Sequence, residues 1–305
     1  MKTFYSHGKL LLSGEYLVLD GATALALPTR PGQSLKVRDS KTEGLEWRSL
    51  NPDGTPWFNT RFTPKELAAP YPKGKLPEDI RGRLQLLIDA TVRLNPQFAE
   101  ELQNTTVETQ LEFPRDWGLG SSSTLISNLA FWAGIDPYTL LQKTFGGSGY
   151  DIAAARQKNP FFYRLDSDGT PVVEEAAFDP PFASELFFVY LNQKQDSRSG
   201  IARYRNRSVD PETAVARVSG LTTQLVSAPT LASFCELLDE HEAFIAGILQ
   251  TPTVKELRFP DFPGSVKSLG AWGGDFVLAT GPETHQEYFR KQGFRVLKPY
   301  QELIL

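Results

Sequence analysis

Apolar residues recur at two spacings along the chain. Val107, Thr109, Leu111 and Phe113 alternate with their neighbours in the period of a half-buried strand, which Pro114 ends. Ile80, Leu84, Leu87, Ile88 and Val92 fall three and four apart and predict an amphipathic helix over 78–94. Residues 9–19 are largely apolar with a Gly14-Glu15 interruption, Asp20-Gly21 makes a turn, and Ala22 to Leu27 is largely apolar again. That pattern predicts two buried strands joined by a tight turn. Further strands are expected at 34–38 and 44–49, a turn at Asn51-Pro52-Asp53-Gly54, and a surface loop over 63–77. Short helical segments are expected on either side of Gly146-Gly147.

Turn formers cluster between 165 and 182 (Asp166, Asp168, Gly169, Pro171, Pro180, Pro181) and mark a boundary. Beyond it the pattern predicts a strand at 186–191 and helices at 197–206, 211–227 and 230–250. A strand–turn–strand over 254–280, a helix at 283–292 and a strand at 294–298 follow. Strands and helices mix without a regular βαβ rhythm. The expectation is an α+β protein of two lobes, 1–165 and 166–305.

Composition narrows the function classes. Across 305 residues, 32 Lys+Arg against 36 Asp+Glu give a net charge of −4, which excludes a protein built to coat nucleic acid or anionic membrane. One cysteine, Cys235, excludes a disulfide framework, and three histidines (His7, His241, His285) argue against a multi-histidine metal site. Cys235 and His241 read as core residues. His7-Gly8-Lys9 interrupts any signal-peptide core, and no apolar run approaches the ~20 residues that span a bilayer. A cytoplasmic protein is expected, with no nucleic-acid or membrane partner.

Four segments carry candidate chemistry. Gly118-Leu119-Gly120-Ser121-Ser122-Ser123-Thr124 stands between a strand and a helix. Glycines there let the backbone approach a ligand, and the N–H groups of the next helical turn form an anion site. No Gly-Lys-Ser/Thr closes it as in a Walker A loop, and the third glycine of a dinucleotide fingerprint is missing. By itself the loop fits a phosphate cradle and a plain helix cap equally well. The other three are Ser6 to Tyr16, with Lys9 heading an apolar strand; Gly146 to Ala155, with Asp151 one turn into a small-residue helix; and Lys267 to Phe276, with glycines interrupting a strand.

The order and spacing of these pieces resemble the GHMP kinases, the superfamily of galactokinase, homoserine kinase, mevalonate kinase and phosphomevalonate kinase. Residues 8–15 resemble its first motif, 114–123 its phosphate loop and 267–276 its third motif, so the resemblance runs from about 3 to 298. Gly149-Tyr150-Asp151-Ile152-Ala153 matches the signature of the "GYDIA" subgroup, nearest the phosphomevalonate kinases.

The resemblance implies a two-lobed GHMP kinase fold, with a ribosomal-protein-like left-handed β-α-β lobe, a ferredoxin-like C-terminal lobe and the site in the cleft between them. It implies ATP over Gly118–Thr124, Mg²⁺ on Ser122, and Asp151 and Lys9 at the reacting hydroxyl. Gly270, Ala271, Gly273 and Gly274 would form the third glycine motif. Glu15, Lys194, Ser197 and Arg198 would face a small-molecule acceptor, mevalonate or phosphomevalonate, and a homodimer is compatible. A sugar acceptor, or a catalytically silent ligand-binding protein of the same fold, are the alternatives. Two departures bear on this. Trp272 replaces a glycine, which predicts a bulky side chain beside the phosphate loop, and the shortened segment before Asp151 offers no acidic second metal ligand.

Overall fold

A computed structural model describes residues 1–72, 76–192, 197–205, 210–270, 272 and 274–305, with the side chains of 197–199 and 203 outside the description. In chain order the strands are β1 (Lys2–Ser13), β2 (Ala24–Asp39), β3 (Leu45–Leu50), β4 (Pro56–Phe62), β5 (Thr105–Leu111), β6 (Phe161–Leu165), β7 (Pro171–Glu175), β8 (Leu186–Tyr190), β9 (Val266–Leu269), β10 (Phe276–Thr280) and β11 (Leu297–Pro299). The helices are α1 (Pro64–Ala68), α2 (Ile80–Leu94), α3 (Phe98–Glu101), α4 (Ser121–Ala133), α5 (Pro137–Thr144), α6 (Tyr150–Ala154), α7 (Ser197–Arg205), α8 (Pro211–Val226), α9 (Leu231–Leu249), α10 (Val254–Arg258), α11 (Gln286–Lys291) and α12 (Tyr300–Leu303). One sheet has the order β4-β3-β5-β2-β6-β7 with β1 also on β2, and its β3–β5 pair is parallel. A second, antiparallel sheet has the order β11-β8-β10-β9. The expected mixture of helices and strands is found, the strands forming these two sheets. Among the described residues no helix is long and apolar enough to cross a membrane.

The chain forms two compact units that interleave along the sequence. The first holds Met1–Gly8, Pro31–Arg115 and Gly120–Arg156; the second holds Lys9–Arg30, Asp116–Leu119 and Gln157–Leu305. These are not the continuous stretches before and after 165, because Lys9–Arg30 groups with the C-terminal residues. In the first unit, alternate residues of β5 face a core shared with Leu84, Leu87 and Ile88 of α2 and Ile126 and Leu129 of α4. Asp79 starts α2 by accepting the Gly82 N–H at 2.7 Å. Apolar side chains of the second unit pack in clusters. Phe187, Val189 and Val277 of the small sheet pack on Phe259 and Phe289, while Tyr16, Leu17 and Trp272 pack with α8 and α9.

Several boundaries differ from the pattern, for identifiable reasons. Residues 9–19 are not strand throughout. β1 ends at Ser13, Gly14 and Tyr16 take positive φ (89° and 62°), and Leu17–Asp20 form a 3-10 turn. The expected strands at 22–27 and 34–38 are one strand, β2, which pairs with β6 at Ala24–Ala26 and with β5 at Gln33–Asp39. Pro28 and Pro31 disguise it, since a proline cannot donate to a ladder. Capping boxes at Thr63/Glu66 and Thr253/Glu256 start α1 and α10 where a loop and a strand were expected. The proline-rich boundary at 165–182 contains a hairpin, β6 with β7, turning at Gly169.

Candidate active site

Lys9 lies in β1, half-buried, in the second unit. Its backbone N–H donates to the Leu119 carbonyl at 3.0 Å, and its ammonium Nζ donates to the Gly118 carbonyl at 2.8 Å. The first motif therefore grips the glycine loop directly. Gly118 is at φ 67°, and a Cβ there would overlap the Asp275 carboxylate, so only glycine lets the third motif approach this closely. Asp275 itself is at φ 44°, uncommon for a residue with a side chain. Trp117 anchors the loop, packing edge-on against Phe276 at 5.4 Å between ring centroids and against Tyr190 at 6.1 Å.

In the first unit, Gly120 (φ 90°) opens α4, whose N-terminus has no side-chain cap. The first N–H groups of such a helix start can serve an anion, with the helix dipole favouring negative charge. The four hydroxyl residues divide. Ser123 and Thr124 are buried: Ser123 Oγ donates to the Gly120 carbonyl at 2.8 Å, and Thr124 Oγ1 to Gln33 Oε1 at 2.8 Å. Ser123 closes the first turn of the helix on itself, and Thr124 holds the helix start to β2. Ser122 is exposed and Ser121 half-exposed, which leaves these two hydroxyls facing outward. Of the loop residues named from the sequence, Gly118, Leu119 and Gly120 shape the backbone and Ser121 and Ser122 face solvent.

Asp151, also in the first unit, is the second residue of α6, after Gly149 at φ 87°. Its Oδ1 accepts the Ile152 N–H at 3.0 Å. Burial, helped by the charges of Asp136 and Asp151, pushes the Tyr138 hydroxyl up to about 12, so Tyr138 remains protonated beside this carboxylate.

The structure corrects two expectations. Glu15, assigned to the substrate, is buried at 2 % exposure, and its Oε1 takes the Lys267 ammonium at 2.5 Å. Lys267 is wholly buried, bonds Glu242 Oε2 at 3.3 Å and the Ser268 carbonyl at 3.1 Å, and Glu242 also accepts the Ser268 N–H and hydroxyl. One ammonium faces two carboxylates here. Burial pushes Glu15 up to about 7 against the pull of Lys267, and raises Glu242 likewise. For Lys267, burial works against the charge, yet the two carboxylates outweigh it and hold the ammonium. His241 adjoins the cluster, its Nε2 accepting the Gly14 N–H at 3.2 Å, and burial keeps it neutral, in line with the expected core role. Trp272, expected beside the phosphate loop, instead packs among Tyr16, Tyr204, Val218 and Ile248, with its indole N–H donating to the Pro252 carbonyl at 3.3 Å. Burying so large an apolar ring outweighs leaving it at a polar loop.

The sequence reading missed Glu242 and Asp275. A signal for Glu242 exists: α9 buries Phe234, Leu238, Ile245 and Ile248, and His241-Glu242 falls on that same face. Polar residues in an apolar phase announce a buried network. In the third motif Gly270 ends β9 at φ 73° and Gly274 precedes Asp275, while Ala271 and Gly273 lie outside the described residues. Lys194 also lies outside them; Ser197 and Arg198 open α7, their side chains outside the description. Cys235 is partly buried, its Sγ 3.2 Å from Thr280 Oγ1.

No family model and no curated protein matches the chain. Solved structures do. Streptococcus pneumoniae phosphomevalonate kinase in complex with phosphomevalonate and AMPPNP superposes with a TM-score of 0.72 at 16% identity, covering 98% of this chain and 99% of that one. Methanococcus jannaschii mevalonate kinase gives 0.70 at 13% identity, covering 95% and 94%. Lactococcus lactis galactokinase complexed with galactose gives 0.65 at 14% identity, covering 95% and 88%. Likeness that runs nearly end to end in both chains, at such low identity, is a likeness of architecture, and by that architecture the chain has the GHMP kinase fold.

Proposed function

We propose that the chain is an ATP-dependent small-molecule kinase whose acceptor is a mevalonate-type alcohol or its phosphate. One observation carries this reading: Lys9 bonds the carbonyl of Gly118 in a glycine loop that runs into the uncapped N-terminus of α4. That arrangement suits the phosphates of a nucleotide, because phosphoryl transfer demands positioning and charge neutralisation more than covalent help. Asp151 would accept the proton of the acceptor hydroxyl as its oxygen bonds the terminal phosphorus and the bond to ADP breaks. Lys9 would offset charge on the transferring group. Glu15, held by Lys267, would support the first motif from behind rather than touch substrate.

A Mg²⁺ ion fits the residues present. Among the described residues no three His, Cys, Asp or Glu side chains converge, but Mg²⁺ on a nucleotide keeps water and phosphate oxygens as ligands and asks little of the protein. The exposed Ser122 hydroxyl would be its protein ligand, and the ion would neutralise phosphate charge.

An anionic acceptor fits helix α7, in which Arg198 and Arg205 stand seven residues, two turns, apart. The complexes of the S. pneumoniae enzyme with phosphomevalonate and the L. major mevalonate kinase with R-mevalonate support this class. A coupled ADP-release assay over mevalonate, 5-phosphomevalonate, homoserine and galactose tests it. Turnover is expected with one of the first two, and Arg198→Ala should raise KM for it about tenfold, the value of one charge-assisted contact, with KM for ATP unchanged. Galactose turned over best would overturn the acceptor class. ATP binding without turnover of any acceptor would mark a silent protein of this fold.

A further inference from the structure

Tyr16 directly follows the first motif and has no part in the chemistry proposed above. Its backbone takes φ 62°, ψ −48°, a region that residues with side chains avoid, and such outliers persist only where the surroundings hold them. The side chain is buried at 7 % exposure, in the second unit. Its hydroxyl oxygen accepts the backbone N–H of Trp272 at 2.9 Å, inside the third motif. Its ring stacks on Tyr204 of α7, with centroids 5.9 Å apart and planes at 25°. Tyr204 in turn donates to Asp20 Oδ2 at 2.6 Å, in the 3-10 turn that Tyr16 begins.

Gly200, in the first turns of α7, completes the contact. A Cβ there would lie 2.5 Å from Tyr16 Oη, 2.8 Å from Cε1 and 3.0 Å from Cζ. The helix therefore offers a notch that admits the phenol tip, and the tip occupies it. Glycine inside a helix costs stability unless a close approach requires it, and here one does. A single hydroxyl thus stands at the meeting point of three pieces: the turn that follows the first motif, the third-motif backbone and the helix that carries Arg198.

We propose that Tyr16 is a positioning residue that fixes α7 against the third motif and so sets acceptor affinity without touching the acceptor. The kinetic half of this inference rests on the kinase reading; the structural half does not. Phenylalanine keeps the ring and its stacking but leaves the Trp272 N–H unsatisfied, while alanine at Gly200 drives the notch closed.

The test compares amide hydrogen exchange and steady-state kinetics of the full chain, wild type against Tyr16→Phe. Exchange should quicken about tenfold, the worth of one buried hydrogen bond, in both 200–205 and 270–272, and stay unchanged in α2 and α4 of the first unit. KM for the acceptor should rise several-fold, with KM for ATP and kcat nearly constant. Gly200→Ala should disturb the same two segments, and the double variant should show less than the sum of the two effects, since both break one contact. Faster exchange in only one segment, a uniform rise along the chain, or additive effects would overturn the proposal. If the wild type turns over no acceptor, the kinase reading fails while the exchange pattern still decides for or against Tyr16.

Discussion

Lys9 and Asp151 show how two residues with the same expected destination differ in their surroundings. Lys9 reaches the Gly118 carbonyl through its ammonium and the Leu119 carbonyl through its backbone, so it both carries charge and holds the loop. Asp151 accepts the Ile152 N–H at the start of its own helix, away from the glycine loop in sequence. Their substitutions should therefore separate. Asp151→Asn should lower kcat by about 10²–10⁴-fold, the usual worth of a general base, and leave calorimetric ATP affinity unchanged. Lys9→Met should lower kcat as far and also weaken ATP by several-fold, because a carbonyl in the loop loses its donor. Equal ATP affinity in both variants would contradict the grip of Lys9 on the loop.

At the scale of elements, the glycine-containing turns of the motifs are set by backbone conformation more than by side chains. Gly118, Gly120 and Gly146 all take positive φ, but their surroundings differ. A Cβ at Gly118 meets the Asp275 carboxylate, whereas at Gly146 it meets nothing within 4 Å. Gly146→Ala should thus cost only the left-handed backbone penalty, about 1–2 kcal/mol. Gly118→Ala should cost more and, unlike Gly146→Ala, also reduce ATP affinity, since the loop must move from the third motif. Thermal melts with and without ATP check both halves. The loop glycines were legible as a motif in the sequence. Which of them is held by a steric partner was not, because Asp275 lies more than 150 residues away along the chain.

For the molecule as a whole, the buried cluster of Lys267, Glu15, Glu242 and His241 makes stability depend on pH. Glu15 titrates near 7 in the folded chain and near 4.5 when unfolded, because burial disfavours its charge. Between these values the folded state holds a proton that the unfolded state has released, so the contribution of Glu15 falls as pH rises from 4.5 to 7. His241 acts in the opposite sense. Pushed below 6.5 by burial, it costs stability as pH drops under that value. Glu15→Gln removes the first effect alone. Its Tm relative to wild type should climb by a few degrees between pH 5 and pH 8, and a flat difference would mean that Glu15 is not desolvated in the folded chain.

The sequence by itself determined the elements whose patterns are local: α2 and β5 by their apolar periods, α8 and α9 by length and phase, and the glycine loop by composition and order. It determined the family resemblance too, since Gly8-Lys9, Gly118 to Ser123 and Gly149 to Ala153 can be read letter by letter. Only the tertiary structure decided what each polar residue of those motifs faces. Glu15 turned from substrate to Lys267, Trp272 from the loop to the core, and Thr124 inward to Gln33. It also joined 22–27 to 34–38 as one strand, through partners on β5 and β6. The physical reason is the same in each case. Periodicity and propensity are properties of neighbours in sequence, whereas the cost of burying a charge, a hydroxyl or an indole depends on partners that distant segments supply.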